Sequence, residues 1–207
     1  MKLLYSANSP YARVTRVVRL LLDLEARVEG EELHPFSNPP ELMNINPLQK
    51  VPALKLSDSQ VILDSEVIAL YFDRELGQGS LSARIEEDWQ YRTHLSMCKG
   101  MIDCCVGLRG EKFREDQPEE VSSAFFTQRN SNGIARTLTY FEERLADLKL
   151  AERGEKMEIL DIWMVVAVEY IYLRHPEFEI EQNYPRLQNW YEQLKELPCL
   201  VATRPPG

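Results

Sequence analysis

The sequence predicts a small α/β domain with a mixed sheet, followed by an all-α domain. Within the first 76 residues, short apolar runs alternate with amphipathic helical segments, as expected for an α/β unit. A Gly/Ser cluster, Gly77–Ser80, then separates this region from the remainder of the chain. Beyond the cluster, every long periodic stretch has helical spacing. Together these three observations predict a domain at 1–76, a linker at 77–83 and a helical domain at 84–207.

The first predicted elements are a strand and a helix. Lys2–Tyr5 is a short apolar run, and Ser9 with Pro10 supplies an N-cap and a proline at the first helical position. Arginines 13, 16 and 19 fall outside the apolar stripe of this helix and are predicted to face away from it. The stripe itself consists of Val14, Val17, Val18 and Leu21.

The remainder of the first domain is predicted to contain a strand, a proline-rich connection, a hairpin and a helix. Val28–Leu33 is the second predicted strand, and the prolines that follow it leave room for at most one short helix. Pro52–Leu56 and Gln60–Leu63 are predicted to form a hairpin. Asp64 and Ser65 then open another helix.

The second domain is predicted to be a helical bundle. The run Ile159–Leu173 is so apolar that its helix is expected at the centre of the bundle. It is interrupted by Asp161 and Glu169 and is too short to span a bilayer. The N-terminus lacks the apolar core of a signal peptide. These features predict a soluble cytoplasmic protein.

Charge and cysteine content exclude several classes of function. Lys and Arg total 24 against 33 Asp and Glu, a net charge of −9, so a nucleic acid or an anionic membrane would be repelled. The three histidines are far apart and the four cysteines form no CxxC pair, so no metal site is predicted. In a reducing compartment the cysteines are expected to remain free thiols. They are Cys98, Cys104, Cys105 and Cys199.

Three short segments could carry chemistry, and each also has a purely structural interpretation. Ser9 stands at a helix N-terminus, which favours an anion such as a thiolate, but it could simply cap that helix. In Asn46–Leu54, Pro52 could form a cis turn that leaves the Val51 backbone facing outward, or it could be a plain turn into a strand. Asp64 with Ser65 could bind a ligand that carries both an ammonium and a carboxylate group, or could again be a helix cap.

Together these segments resemble the glutathione S-transferase family along nearly the whole chain. Lys2–Leu22 resembles the first β-α unit of its thioredoxin-like domain, NPLQKVPAL its cis-proline segment, and LDSEVIALYFD its glutamyl-recognition motif. The sequence from Tyr184 to Pro206 is similar to its C-terminal helix and tail. Serine directly before proline in SPYAR most resembles the serine-type branch of bacterial and plant tau-like members.

The resemblance implies a role for each residue of the site. Ser9 would donate its hydroxyl to the glutathione sulfur, with Asn8 and then Tyr5 as alternative donors. Val51 would pair its backbone with the cysteinyl unit, next to the cis residue Pro52. Lys50 would contact the glycyl carboxylate region, and Asp64 and Ser65 would hold the γ-glutamyl end.

The function implied is that of a homodimeric transferase that uses glutathione as a co-substrate and needs no other cofactor. It would activate glutathione as a thiolate and conjugate or reduce small electrophiles. The alternative is a non-catalytic member of the same fold that binds a protein partner. Glutaredoxins resemble CPYC where this chain has Ser9 and Ala12, so dithiol redox chemistry is not expected.

One departure from the family concerns the helical domain. Its usual capping box resembles S/T-x-x-D, whereas here Glu158 stands at the hydroxyl position and only Asp161 is retained. The resemblance therefore implies a structural role for Asp161 and leaves the capping by Glu158 open.

Overall fold

The computed structural model describes residues 1–115, 122–152 and 154–206. The chain forms two compact units, and the first combines Met1–Ala83 with the C-terminal segment that starts at Glu196. The second unit is Arg84–Lys195. This division differs from the predicted domains at the C-terminus, because the end of the chain packs with the α/β unit.

The α/β unit contains a four-stranded mixed sheet in the order β2-β1-β3-β4. β1 and β2 are parallel, whereas β3 is antiparallel to both β1 and β4. A mixed sheet followed by a helical unit confirms the predicted fold class. The strands are β1 (Lys2–Tyr5), β2 (Glu29–Glu32), β3 (Ala53–Lys55) and β4 (Val61–Leu63).

The helices of the α/β unit begin at proline or behind an acidic cap. α1 and α3 pack against each other, and the valines of α1 are buried as their spacing predicts. After α3 the chain continues through one π-helical turn, Phe72–Leu76. The helices of this unit are α1 (Pro10–Leu21), α2 (Pro40–Ile45) and α3 (Ser65–Tyr71), and α10 (Pro198–Val201) near the C-terminus.

In the helical unit the most apolar helix is the most buried one. Every residue of α7 from Ile159 to Ile171 is buried, as its nearly uninterrupted hydrophobicity predicts. α7 packs against α5 and α9, and α5 also packs against α6. Among the described residues, no helix combines the length and apolarity needed to cross a membrane. The helices are α4 (Ala83–Glu87), α5 (Trp89–Glu115), α6 (Ala124–Arg144), α7 (Ile159–Arg174), α8 (Ile180–Asn183) and α9 (Pro185–Leu194).

Arg13 of α1 falls outside the apolar stripe of the helix, yet it is buried, with only 2% of its surface exposed. Its guanidinium donates to the Leu200 carbonyl at 3.2 Å and to the Thr203 hydroxyl at 3.4 Å. Arg16 donates to the Thr203 carbonyl at 3.2 Å. These bonds hold the C-terminal segment against α1 and explain why it belongs to the first unit.

Candidate functional site

The register of the sheet brings the three predicted site segments to the same end of its strands, which is called the sheet edge below. Leu4 of β1 lies opposite Ala53 of β3, so the loop that follows β1 emerges beside the residues that precede β3. Ala53 also lies opposite Leu63 at the end of β4, so Asp64 starts from the same edge. The loop after β1 and the residues before β3 are far apart in the sequence and thereby become neighbours.

Ser9 lies at the N-terminus of α1. Its backbone is extended, and its Oγ accepts a hydrogen bond from the Ala12 N–H at 3.2 Å. Ser9 N–H donates to the Ser6 carbonyl at 3.0 Å, which closes the loop between β1 and α1. The side chain is half-buried, and Asn8 beside it is exposed. Ser9 therefore caps α1, and its hydroxyl lies at the positive end of the helix dipole.

The second segment contains the predicted cis peptide bond, which joins Val51 to Pro52. The Val51 side chain is buried in a cluster with Leu4, Ala12 and Ala53, so it anchors this segment to the sheet and α1. Within the described residues, the N–H and carbonyl groups of Val51 form no hydrogen bond. The structure thus leaves a short stretch of backbone at the sheet edge with both polar groups available, as a bound peptide would require.

Asp64 and Ser65 stand at the start of α3 and differ in exposure. Asp64 is exposed, and its Oδ1 accepts from the N–H groups of Glu66 at 2.8 Å and Val67 at 3.4 Å. Its Oδ2 has no partner among the described residues. Asp64 has a positive φ of 74°, and Ser65 is buried. One oxygen of the carboxylate therefore caps the helix while the other remains free to accept from an ammonium group.

Lys50 supplies the positive charge at this edge. Its side chain is exposed and forms no ion pair with any described residue. This end of the sheet thus carries a cation at Lys50, an anion at Asp64 and the open backbone of Val51.

Two further residues, Asn46 and Glu32, support these loops and have no predicted role. Asn46 is buried and bonds to three positions of the loop before Val51, whereas Glu32 accepts from the Ala7 N–H at 3.2 Å. The dipeptide Asn46-Pro47 is a turn signal and could have identified Asn46. Glu32 had no such signal, because only the pairing of β1 with β2 brings it close to the loop.

The four cysteines are poor candidates for the nucleophile. All four are free, and burial raises the pKa of each thiol, most strongly for Cys98 and Cys105. A raised pKa reduces the thiolate fraction at neutral pH. Any thiolate chemistry at the sheet edge would therefore use a sulfur that the ligand supplies.

Asp161 lies in the helical unit, at the start of α7. Its Oδ2 accepts from the Glu158 N–H at 2.6 Å, and its Oδ1 accepts from the Ala151 N–H at 2.9 Å. Glu158 also pairs with Arg84 at 3.1 Å. Asp161 therefore fixes both the start of α7 and the loop that leads to it.

Comparison with known proteins identifies the class to which this fold and site belong. The family model for the glutathione S-transferase N-terminal domain matches residues 8–75, which include all three segments of the sheet edge. A solved glutathione transferase family member from Pseudomonas fluorescens Pf-5, with bound glutathione, is 30% identical. The alignment covers 100% of this chain and 99% of that one, with a TM-score of 0.86.

Curated relatives are also similar over the full length. Glutathione S-transferase A of Pleuronectes platessa is 24% identical, over 100% of this chain and 92% of its own. The uncharacterized GST-like protein YibF of Escherichia coli K12 is 26% identical, over 100% and 99%. The chain belongs to the glutathione S-transferase family, and its assignment to a serine-type branch stays a prediction.

Proposed function

We propose that the protein is a glutathione transferase that binds glutathione at the sheet edge and activates its thiol for attack on small electrophiles. The observation that supports this most directly is the meeting of Ser9, Val51 and Asp64 at one end of the sheet. Glutathione has an extended backbone and charged ends, and these residues offer a partner for each part. Asp64 and Ser65 hold the γ-glutamyl end, Val51 pairs with the cysteinyl unit, and Lys50 faces the glycyl carboxylate.

Ser9 acts as a hydrogen-bond donor to the sulfur in this proposal. A free thiol has a pKa near 8.5, so only about 3% is thiolate at neutral pH. Lowering that pKa by about two units requires roughly 2.7 kcal/mol of preferential binding to the thiolate. One hydroxyl hydrogen bond together with the N-terminus of α1 can supply this amount. The thiolate then attacks the electrophile, in conjugation or in reduction.

The alternative function is a non-catalytic member of the family that binds a protein partner. Such a module has no need of a free Asp64 oxygen and an unpaired Lys50 beside an open stretch of backbone. The proposed enzyme acts in the cytoplasm and needs no cofactor beyond its co-substrate.

The test compares two aspartates that cap helices in the same way. Asp88 Oδ1 accepts from the N–H groups of Gln90 and Tyr91, as Asp64 Oδ1 does from those of Glu66 and Val67. In Asp64→Asn and Asp88→Asn the capping oxygen is retained and the charge is lost. Calorimetric titration with glutathione is expected to show about tenfold or greater weakening in Asp64→Asn only, because a hydrogen bond between charged groups is lost there.

Equal affinity in the two variants would remove Asp64 from the site. Absence of glutathione binding by the wild-type protein would favour the protein-binding alternative. Turnover of an activated aryl halide or a peroxide with glutathione then separates conjugation from reduction.

A further inference from the structure

We infer that Asn46 is a positioning residue for glutathione binding, because it fixes the direction of the Val51 N–H. This inference rests on the proposed function and adds to it a residue that has no contact with the substrate. Asn46 has only 3% of its surface exposed, although its side chain is polar. A buried amide of this kind costs free energy unless its polar groups are satisfied, so its partners indicate what it does.

Asn46 closes the loop before the cis peptide bond with three hydrogen bonds. Its main-chain carbonyl accepts from the Gln49 N–H at 2.9 Å, and its side-chain Oδ1 accepts from the Leu48 N–H at 3.0 Å. Its Nδ2 donates to the Lys50 carbonyl at 2.7 Å. These partners also fix the orientation of the amide, because an N–H requires the oxygen and a carbonyl requires the NH₂ group.

The bond to the Lys50 carbonyl is the one that bears on the site. Lys50 and Val51 share a planar trans peptide, in which the carbonyl and the following N–H point in opposite directions. Holding the carbonyl toward buried Asn46 therefore turns the Val51 N–H away from the loop interior. That N–H has no partner among the described residues, which fits a donor reserved for a ligand.

The Val51 side chain supplies the second constraint. It is buried in a cluster with Leu4 and Ala12, so apolar packing holds the side chain while Asn46 holds the peptide that precedes Val51. Gln49 has a positive φ of 53°, a conformation that the bonds to Asn46 help to hold. Without the amide donor, the peptide between Lys50 and Val51 could rotate while the side chain remained packed.

The variant Asn46→Asp tests this inference directly. A carboxylate still accepts from the Leu48 N–H, but it cannot donate to the Lys50 carbonyl. We expect about tenfold weaker glutathione binding and a similar rise in KM for glutathione, corresponding to one lost hydrogen bond. The kcat is expected to be unchanged, because the Val51 N–H binds the substrate equally well before and during the reaction.

The matched control is Asp73→Asn in the same unit. Asp73 is fully buried and accepts from the N–H groups of Leu81 and Ser82, so the substitution disturbs a buried loop closure that lies outside the site. Urea unfolding of both variants measures their stability loss, and only Asn46→Asp is expected to change KM. If Asn46→Asp does not fold, Asn46→Ser serves instead, because its hydroxyl can accept from Leu48 but is too short to reach Lys50.

An unchanged KM in a folded Asn46 variant would overturn the inference, as would an equal rise in Asp73→Asn. Failure of the proposed function looks different, because the wild-type protein itself would then not bind glutathione. That result would overturn the inference as well.

Discussion

Ser9 has a structural role in α1 that leaves room for the chemical role proposed for it. Its oxygen accepts from the Ala12 N–H and thereby caps α1. A hydroxyl that accepts through a lone pair still carries its own proton. The capping interpretation and the proposed thiolate-stabilising role are therefore compatible.

The chain offers a second N-cap serine that separates the two roles. Ser123 Oγ accepts from the Phe126 N–H at the start of α6, in the helical unit. In Ser9→Ala and Ser123→Ala the loss of a cap is expected to cost about 1 kcal/mol of stability. Only in Ser9→Ala is the pKa of the bound glutathione thiol expected to rise. The loss of ~2 kcal/mol of thiolate stabilisation would lower the rate at pH 7 about thirtyfold.

The thiolate absorbance of bound glutathione, followed against pH, measures this directly. The rate defect is expected to shrink at high pH, where the thiol ionises without help. Glutathione affinity is expected to stay close to that of the wild type. An unchanged titration in Ser9→Ala would contradict the assignment and move the role to Asn8, which Asn8→Ala then tests.

At the scale of single elements, the capping box at the start of α7 has a carboxylate, Glu158, at the position where the family pattern has a hydroxyl. Asp161 accepts from two backbone N–H groups, while Glu158 pairs with Arg84. The glutamate at position 158 therefore leaves intact the half of the capping box that Asp161 forms. Both backbone bonds favour the ionised form of Asp161, but burial outweighs them and raises its pKa to about 6.

This raised pKa predicts the sign of a pH effect. A carboxyl with a folded-state pKa of about 6 and an ordinary pKa of 3.8 in the unfolded chain stabilises the fold below about pH 3.8, and this contribution is lost as the pH rises through 6. The stability of the wild type relative to Asp161→Asn is expected to fall by up to ~3 kcal/mol between pH 4 and pH 7.

Urea unfolding followed by tryptophan fluorescence measures this difference. All three tryptophans, Trp89, Trp163 and Trp190, lie in the helical unit, so the signal reports on it. The comparison with Asp161→Asn cancels the contributions of other carboxylates. A difference between the two proteins that is independent of pH would show that Asp161 is ionised throughout this range.

For the whole molecule we propose a homodimer, in which the first unit of one subunit packs against the helical unit of the other, as family membership suggests. Large apolar side chains are exposed on each unit, notably Phe36 at 88% and Trp89 at 77%. A stable interface typically buries about 1,600 Å² in total and covers side chains of this kind.

The mass in solution tests this proposal. Small-angle scattering over a dilution series is expected to give twice the chain mass of 24.1 kDa at micromolar concentration. The same mass is expected at high salt, since an apolar interface is insensitive to screening. A mass of one chain at micromolar concentration would contradict the dimer.

Local patterns in the sequence determined the order of the elements and where several of them begin. Ser9 and Asp64 precede helices because their side chains accept from N–H groups within the next three residues. The spacing of the valines in α1 and the continuous apolar run in α7 predicted the burial of these residues for the same reason, since both are local properties of the sequence. The three site segments could be recognised because each lies in a short, continuous stretch of sequence.

The tertiary structure alone decided what depends on partners far away along the chain. The sequence spacing placed Arg13 outside the apolar stripe of α1 and gave no sign of its burial, but its partners Leu200 and Thr203 lie 187 and 190 residues away. Their hydrogen bonds compensate for the desolvation of the guanidinium, which no local pattern reveals. The same holds for the site, because β-sheet register, rather than sequence proximity, places Ser9, Val51 and Asp64 together.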